Sequence, residues 1–424
     1  MYIVDIIDKK RNNFALTKDE INYVVSGYLN DEIKDYQMSS LLMAICINGL
    51  DSEETCNLTE AMLNSGTIID LSNIPGVKVD KHSTGGVGDK TTLIVAPLVA
   101  SVGVPVAKMS GRSLGYTGGT IDKLESIPGY NVNISIDNII KQVNEIGVCL
   151  STTNSDLAPA DKKIYALRDV TGTVSSKSLI AASIMSKKLA TGADKIFLDV
   201  KYGKGAFINN VNDAMDLASL MVYIGNNHGK QTKALITNMD APLGNMVGNA
   251  LEIKEAIDVL NNKGNKDLRD LCIVISSYMV SMSKNISFKE AQSLIVDSLK
   301  TGKAYKKFLE LVKYQGGDLS KTVISNKYID VTSNKKGYIN NIDAHEIAKG
   351  SLNLGAGKKN KDDVIDTSVG IVLLKNIGDS VELNEPIARI YMNKHKININ
   401  DVLNAFTIED VKSEKIPLIY GLIQ

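Results

Sequence analysis

Apolar side chains recur every three or four positions over the first 65 residues, the spacing of one buried helix face. Thr17 followed by Glu20 has the form of a capping box, and Ile21, Val24 and Val25 lie behind it, so a helix starts there. A second periodic run, Gln37 to Ile47, carries Leu41, Leu42, Ile45 and Cys46, and Glu53 to Leu63 predicts a third helix. Asn, Ser, Gly and Pro then punctuate Ser65 to Gly76, which marks a domain boundary.

From Val77 the texture changes. Val77-Lys78-Val79 predicts a short strand that runs into Ser83-Thr84-Gly85-Gly86-Val87-Gly88. A helix over Thr91 to Val102 and a strand over Val104 to Met109 lead to a second glycine-rich run, Ser110 to Thr120. Strand, glycine loop and helix in repetition predict an α/β domain with a parallel sheet, to which Ile196–Val200 and Lys233–Thr237 add strands. Asp161 to Gly192 reads as helix again, with Ser183 and Lys187 four apart on one face. Val331 to Gln424 carries short β-rich pieces, Gly370–Leu374 and Pro386–Tyr391, and reads as a small α+β module.

Composition narrows the function. A chain of 424 residues suits two or three domains, and 44% hydrophobic residues support large cores. The 48 basic side chains equal the 48 acidic ones, so binding of a polyanion through bulk charge is excluded. Aromatic residues are only 5%, with no Trp, which argues against a stacking platform for nucleic acid. Cys46, Cys56, Cys149 and Cys272 form no CxxC pair, so neither a zinc site nor a disulfide framework is expected. Asp5, Asp8 and Lys9 interrupt what would be the apolar core of a signal peptide. The longest apolar stretch, Leu93 to Ala107, is broken by Pro97, Gly103 and Pro105. The expectation is a soluble cytoplasmic protein with no membrane or nucleic-acid partner.

Clustered glycines let backbone N–H groups approach an anion, and the helix behind them adds its positive end. The first loop carries Lys81, His82, Ser83 and Thr92; the second carries Lys108, Ser110, Arg112 and Thr120. After neighbouring parallel strands, two such loops converge on one crevice. Neither GxxxxGK[ST] nor GxGxxG is present, since Asp89 separates Gly88 from Lys90, so a single phosphate or a phosphosugar fits better than a nucleotide polyphosphate. A glycine-rich turn alone is usually just a turn. Two of them, each dense in Lys, Ser and Thr, make the case. His82 is promoted by its place between Lys81 and Ser83; His228, His345 and His395 read as surface residues.

Together these residues resemble the thymidine and pyrimidine-nucleoside phosphorylases. The likeness runs through Lys81 to Asp89, Ser110 to Gly129, Tyr165-Ala166-Leu167-Arg168-Asp169-Val170-Thr171, Asp199 to Phe207, Pro242-Leu243-Gly244 and Gly248 to Glu252, and so spans essentially the whole chain. It implies an α/β protein with a small all-helical domain, residues 1–65 completed by about 160–192. A large α/β domain with a mostly parallel central sheet follows, over 76–155 and 193–330, with a β-rich α+β C-terminal module over 331–424. It also implies a homodimer joined through the helical domains, with a cleft between lobes that closes in turnover.

The implied reaction is reversible phosphorolysis of a pyrimidine nucleoside or deoxynucleoside to free base and (deoxy)ribose 1-phosphate, as in nucleoside salvage. The resemblance assigns phosphate binding to Lys81, Ser83, Thr92, Lys108, Ser110 and Thr120, and base binding to Arg168, Ser183 and Lys187. His82, Arg168 and Lys187 are the implied catalytic residues, with His82 a proton or hydrogen-bond donor near the base O2. Read without the resemblance, Arg168 and Lys187 would be surface ion-pair residues and Ser183 a packing hydroxyl. Inorganic phosphate is the co-substrate and no cofactor is required.

Some relatives bind a monovalent cation, and the matching positions are Gly88, Lys90, Leu243, Met246 and Glu255. Here Lys90 stands where those relatives carry a small hydroxyl residue, so its ammonium either replaces potassium or points away. Tyr116 replaces a histidine of the second loop and Ser113 a glycine, which bears on substrate preference. Lys108 implies the broad subtype, accepting uridine, deoxyuridine and thymidine. The alternatives are a thymidine-specific enzyme, a related phosphoribosyltransferase, or a non-catalytic nucleoside-binding protein.

Overall fold

A computed structural model describes residues 1–112, 118–152, 157–360, 362–395, 397–414 and 416–424. Four helices come first: α1 (Ile3–Arg11), α2 (Lys18–Leu29), α3 (Asp35–Asn48) and α4 (Ser52–Leu63). Thr17 closes a capping box with Glu20 at the start of α2, and Asp51 does so with Glu54 at the start of α4.

The chain then forms β1 (Val79–Ser83), α5 (Thr91–Ala100), β2 (Val106–Ser110), α6 (Thr120–Leu124), α7 (Ile136–Ile146) and β3 (Val148–Thr152). Every residue of α5 is buried, which is why its sequence is apolar all round. Next come α8 (Pro159–Thr171) and α9 (Lys177–Ala190). The continuous helix expected over 161–192 is therefore two helices. Gly172, at φ +69°, ends the first in the left-handed region, and the five residues between become a loop that the site uses. Ala160, Ile164, Leu179 and Ala182 of these helices join Ile21, Val24, Leu41, Leu42 and Leu58 in one core, so the helical domain is assembled from two separate stretches of chain.

The larger part continues with β4 (Lys195–Tyr202), α10 (Val211–Asn227), β5 (Thr232–Asn238), β6 (Met246–Val247), α11 (Asn249–Leu260), α12 (Lys266–Lys284), α13 (Phe288–Lys300) and α14 (Lys303–Tyr314). The C-terminal part holds β7 (Tyr328–Thr332), β8 (Gly337–Ile342), α15 (Ala344–Asn353), β9 (Gly370–Leu373), β10 (Ser380–Val381), β11 (Pro386–Tyr391), α16 (Ile399–Leu403), β12 (Phe406–Glu409) and β13 (Ile419–Ile423).

The main sheet has the order β1-β4-β5-β13. Its first three strands are parallel, with Lys81 opposite Phe197 and Leu198 opposite Ala234; β13 closes the edge antiparallel. The two loop-bearing strands are not hydrogen-bonded to each other, because β2 pairs in parallel with β3 in a separate two-stranded sheet. The sheet is thus split where sequence reasoning placed neighbours. Side chains bridge the split: Lys108 of β2 lies 3.2 Å from Asp80 of β1.

The expected C-terminal boundary at 331 is crossed at both ends. β6, from the α/β part, pairs with β9, and β13 returns to the main sheet beside β5. The module is tied to the larger lobe by backbone hydrogen bonds as well as by packing.

Candidate active site

β1 sorts its side chains by the alternation of an extended strand. Asp80 and His82 share one face and Lys81 takes the other. Lys81 therefore turns beneath the loop, 2.5 Å from Thr91 Oγ1 and 3.5 Å from Asp199 Oδ2, and does not line the cavity. Lys81, assigned to phosphate by the resemblance, here stands among the ions beneath the loop, while Ser83 at the end of the same strand opens to the cavity.

The loop after β1 is shaped by close backbone contacts. Gly88, at φ +74°, leaves a Cβ no room, since that atom would lie 2.7 Å from the Leu243 carbonyl oxygen. Val87 donates its N–H to Gly205 O at 3.1 Å and accepts from Leu243 N at 3.0 Å. Asp89 organises the loop from within. Its carboxylate accepts from Ser83 Oγ, from Thr91 N at 3.1 Å and from Thr91 Oγ1 at 2.6 Å. Burial pushes this carboxyl up, but Lys201, Lys81 and Lys123, with the Ser83 hydrogen bond, hold it well below the carboxylate range.

Across the split, Lys108 donates to Met109 O at 2.9 Å. The same ammonium, which has three N–H donors, forms an ion pair with Asp80 Oδ1 at 3.2 Å. Asp80 Oδ2 accepts from Lys188 at 2.8 Å. Burial pulls the Lys108 ammonium down to about 7; Asp80 opposes the fall and Lys188 adds to it. Burial likewise holds His82 well below 6.5, aided by Lys188, Lys108, Lys81 and Lys187, so its ring is neutral at pH 7. His82 Nε2 is buried and without a hydrogen-bond partner among the described residues.

The opposite wall is built from α8, α9 and the loop between them. Lys187 Nζ lies 2.6 Å from Asp161 Oδ2 and 3.0 Å from Ser183 Oγ, the helix-face pair expected from the spacing. Arg168 is fully buried and spends Nε on Thr173 O (3.1 Å), Nη1 on Leu179 O (3.1 Å) and Nη2 on Val174 O (2.8 Å). It clamps the loop that Gly172 opens, and these three bonds use three of its five N–H donors. Tyr165 stands over both cations, its ring centroid 5.6 Å from the Arg168 guanidinium and 5.9 Å from Lys187 Nζ.

All this encloses one cavity of about 550 Å³. His82, Ser83, Thr92, Lys108, Ser110 and Thr120 line it on the loop side, and Arg168, Ser183 and Lys187 on the helix side. Among the described residues, the candidate catalytic, phosphate and base residues other than Lys81 line it, and the proposed cation ligands do not. Tyr116 and Ser113 lie outside the described residues.

The five candidate potassium positions do come together, around the chain's own charge. Lys90 Nζ donates to Leu243 O at 2.8 Å, Met246 O at 2.9 Å and Glu255 Oε2 at 2.6 Å. Glu255 also accepts from Asn245 N at 2.6 Å and Met246 N at 3.0 Å. Carbonyls and one carboxylate would suit a hard ion. With an ammonium already bonded to them they do not fit potassium.

Sequence reasoning missed Asp80, Asp89, Asp161 and Lys188. Asp161 had a signal: it precedes Arg168 by seven residues, two helical turns, on the same face of α8. Asp89 sits inside the first loop motif, but nothing local shows that it turns inward to Ser83.

Residues 76–305 match the glycosyl transferase family a/b domain, residues 4–66 the family's helical bundle domain, and residues 338–409 the pyrimidine nucleoside phosphorylase C-terminal domain. A pyrimidine-nucleoside phosphorylase of Staphylococcus epidermidis is 53% identical over 434 aligned positions, covering 100% of both chains. One from Geobacillus stearothermophilus is 51% identical over 94% of each chain, and one from Staphylococcus aureus 50% over 97% of each. Among solved structures, anthranilate phosphoribosyltransferase from Thermus thermophilus matches with a TM-score of 0.57 at 18% identity, over 73% of this chain and 98% of that one, a likeness of fold.

Proposed function

The chain belongs to the pyrimidine-nucleoside phosphorylase family, pentosyltransferases that carry out nucleoside phosphorolysis, and from that premise we propose how its cavity divides the work. Phosphate lies against Ser83, Thr92, Lys108, Ser110 and Thr120, while Arg168, Ser183 and Lys187 receive the base. The observation that carries this is the placement of both glycine loops and the α8–α9 cations on facing walls of one cavity.

Phosphate oxygen attacks C1′ as the bond from C1′ to the base nitrogen breaks, and its electrons pass to the base. The protein's task is positioning and fixed charge. Lys187 and the Arg168 donors oppose the negative charge growing on the base. His82, neutral at pH 7, can give a hydrogen bond to a base carbonyl. Lys81 and Asp89 support the loop from below.

Thymidine, uridine and deoxyuridine are the proposed substrates, Lys108 favouring the broad range, and nucleoside salvage the proposed role. No metal is required: Lys90 supplies the charge at the would-be potassium position. A homodimer through the helical domain is favoured by Tyr36, Met43 and Ile47, exposed in a stripe along α3. Four free thiols suit a cytoplasmic protein, and no helix among the described residues is long and apolar enough to cross a membrane.

Ultraviolet absorbance decides the reaction. Base release from thymidine and from uridine should require phosphate. Release without phosphate, or none with it, overturns the proposal; cleavage of thymidine alone overturns the broad range.

A further inference from the structure

Lys188 follows the base-binding Lys187, yet nothing above gives it a part in the reaction. Successive residues leave a helix about 100° apart, so the two lysines diverge. Lys187 reaches Asp161 on α8, and Lys188 reaches Asp80 on β1 at 2.8 Å. The Lys188 side chain is 7% exposed, and what it exposes lines the cavity. Asp80 lies behind the wall, its side chain 1% exposed, and the same carboxylate is 3.2 Å from Lys108. One buried carboxylate thus serves two buried lysines, which leaves a surplus of positive charge beside the second glycine loop whenever both are protonated. Buried charge is costly unless matched, so a surplus here suits a multiply charged oxyanion.

We propose that Lys188 is a second phosphate-binding cation beside Lys108, and that Asp80 is the positioning residue that holds both ammoniums against the loops. The proposal rests on the reading of those loops as the phosphate site. It explains why a helix of the base wall reaches across to β1: one carboxylate sets the distance between the two halves of the reaction. The groups facing Lys108 are Asp80 and His82 from β1 and Lys188 from α9, with Lys81 and Lys187 further contributors to the field at His82. Removing Lys188 lets the Lys108 pKa rise, and removing the Asp80 charge lets it fall.

Steady-state kinetics from about pH 5.5 to 9, with phosphate and nucleoside varied separately, test this. Lys188→Met should raise the KM for phosphate roughly tenfold or more, leave the nucleoside KM within about threefold, and move the basic limb of kcat/KM for phosphate to higher pH. Asp80→Asn should move that limb to lower pH, and Lys188→Arg should restore the phosphate KM. If Lys188→Met does not fold, Lys188→Gln carries the same expectations. A nucleoside KM that rises while the phosphate KM stays put, or an unmoved limb, overturns the proposal. Ser110→Ala separates it from the reading beneath it. A phosphate KM raised by Ser110→Ala but not by Lys188→Met sinks Lys188 alone. A phosphate KM indifferent to both sinks the phosphate site itself.

Discussion

The Lys187 ammonium is held between Asp161 Oδ2 at 2.6 Å and Ser183 Oγ at 3.0 Å, so its position is set before any base arrives. Asp161 is buried while Lys187 is partly open to the cavity, the arrangement of a charge aimed by a hidden partner. Lys187→Ala should lower kcat/KM on the order of 10²-fold or more, as loss of a transition-state charge does. Asp161→Asn keeps the shape and loses the aim, and should lower kcat/KM by roughly 10-fold. Near-normal turnover by Lys187→Ala would remove that lysine from the mechanism.

Lys90 makes a second prediction. Activity of the wild type should be the same in KCl and in choline chloride of equal ionic strength. Lys90→Thr removes the ammonium and leaves the Leu243 and Met246 carbonyls with the Glu255 carboxylate, a donor set for a hard ion. That variant should be weak in choline chloride and partly recovered by KCl. A wild type that needs potassium would show that Lys90 does not supply the charge.

His82 links the site to stability. Its folded pKa lies below its unfolded value of about 6.5, so between the two the unfolded chain binds the extra proton. Its contribution is neutral above 6.5 and destabilising as pH falls below it. From pH 7 to 5.5 the wild type should lose about 1 kcal/mol more than His82→Gln, at roughly 1.4 kcal/mol per pH unit. Parallel loss in denaturant melts of the two proteins would show that His82 is not buried neutral.

Arg168 should matter for folding as well as turnover. Its guanidinium bonds the Thr173 and Val174 carbonyls of the α8–α9 loop and the Leu179 carbonyl in the first turn of α9, and Arg168→Met removes all three bonds, at about 1–3 kcal/mol for a buried carbonyl left with no other donor. We expect a clear drop in melting temperature together with loss of nucleoside turnover. Full stability with lost turnover would mean that the clamp is dispensable and only the free donors count.

The sequence by itself determined the local parts. The capping box at Thr17, the glycine loops between strand and helix, and the Ser183–Lys187 spacing all follow from short-range sterics and periodicity, and short-range rules are readable in one dimension. Tertiary structure alone decided how charges pair. Lys81 and His82 are adjacent in the chain and face opposite ways, Asp80 joins lysines from two other elements, and Lys90 closes on a carboxylate 165 residues away. Burial removes the water that would otherwise satisfy each of these ions, so every ammonium takes whichever oxygen the fold brings within reach. That choice is made by packing across distant segments, and no window of the sequence contains both partners.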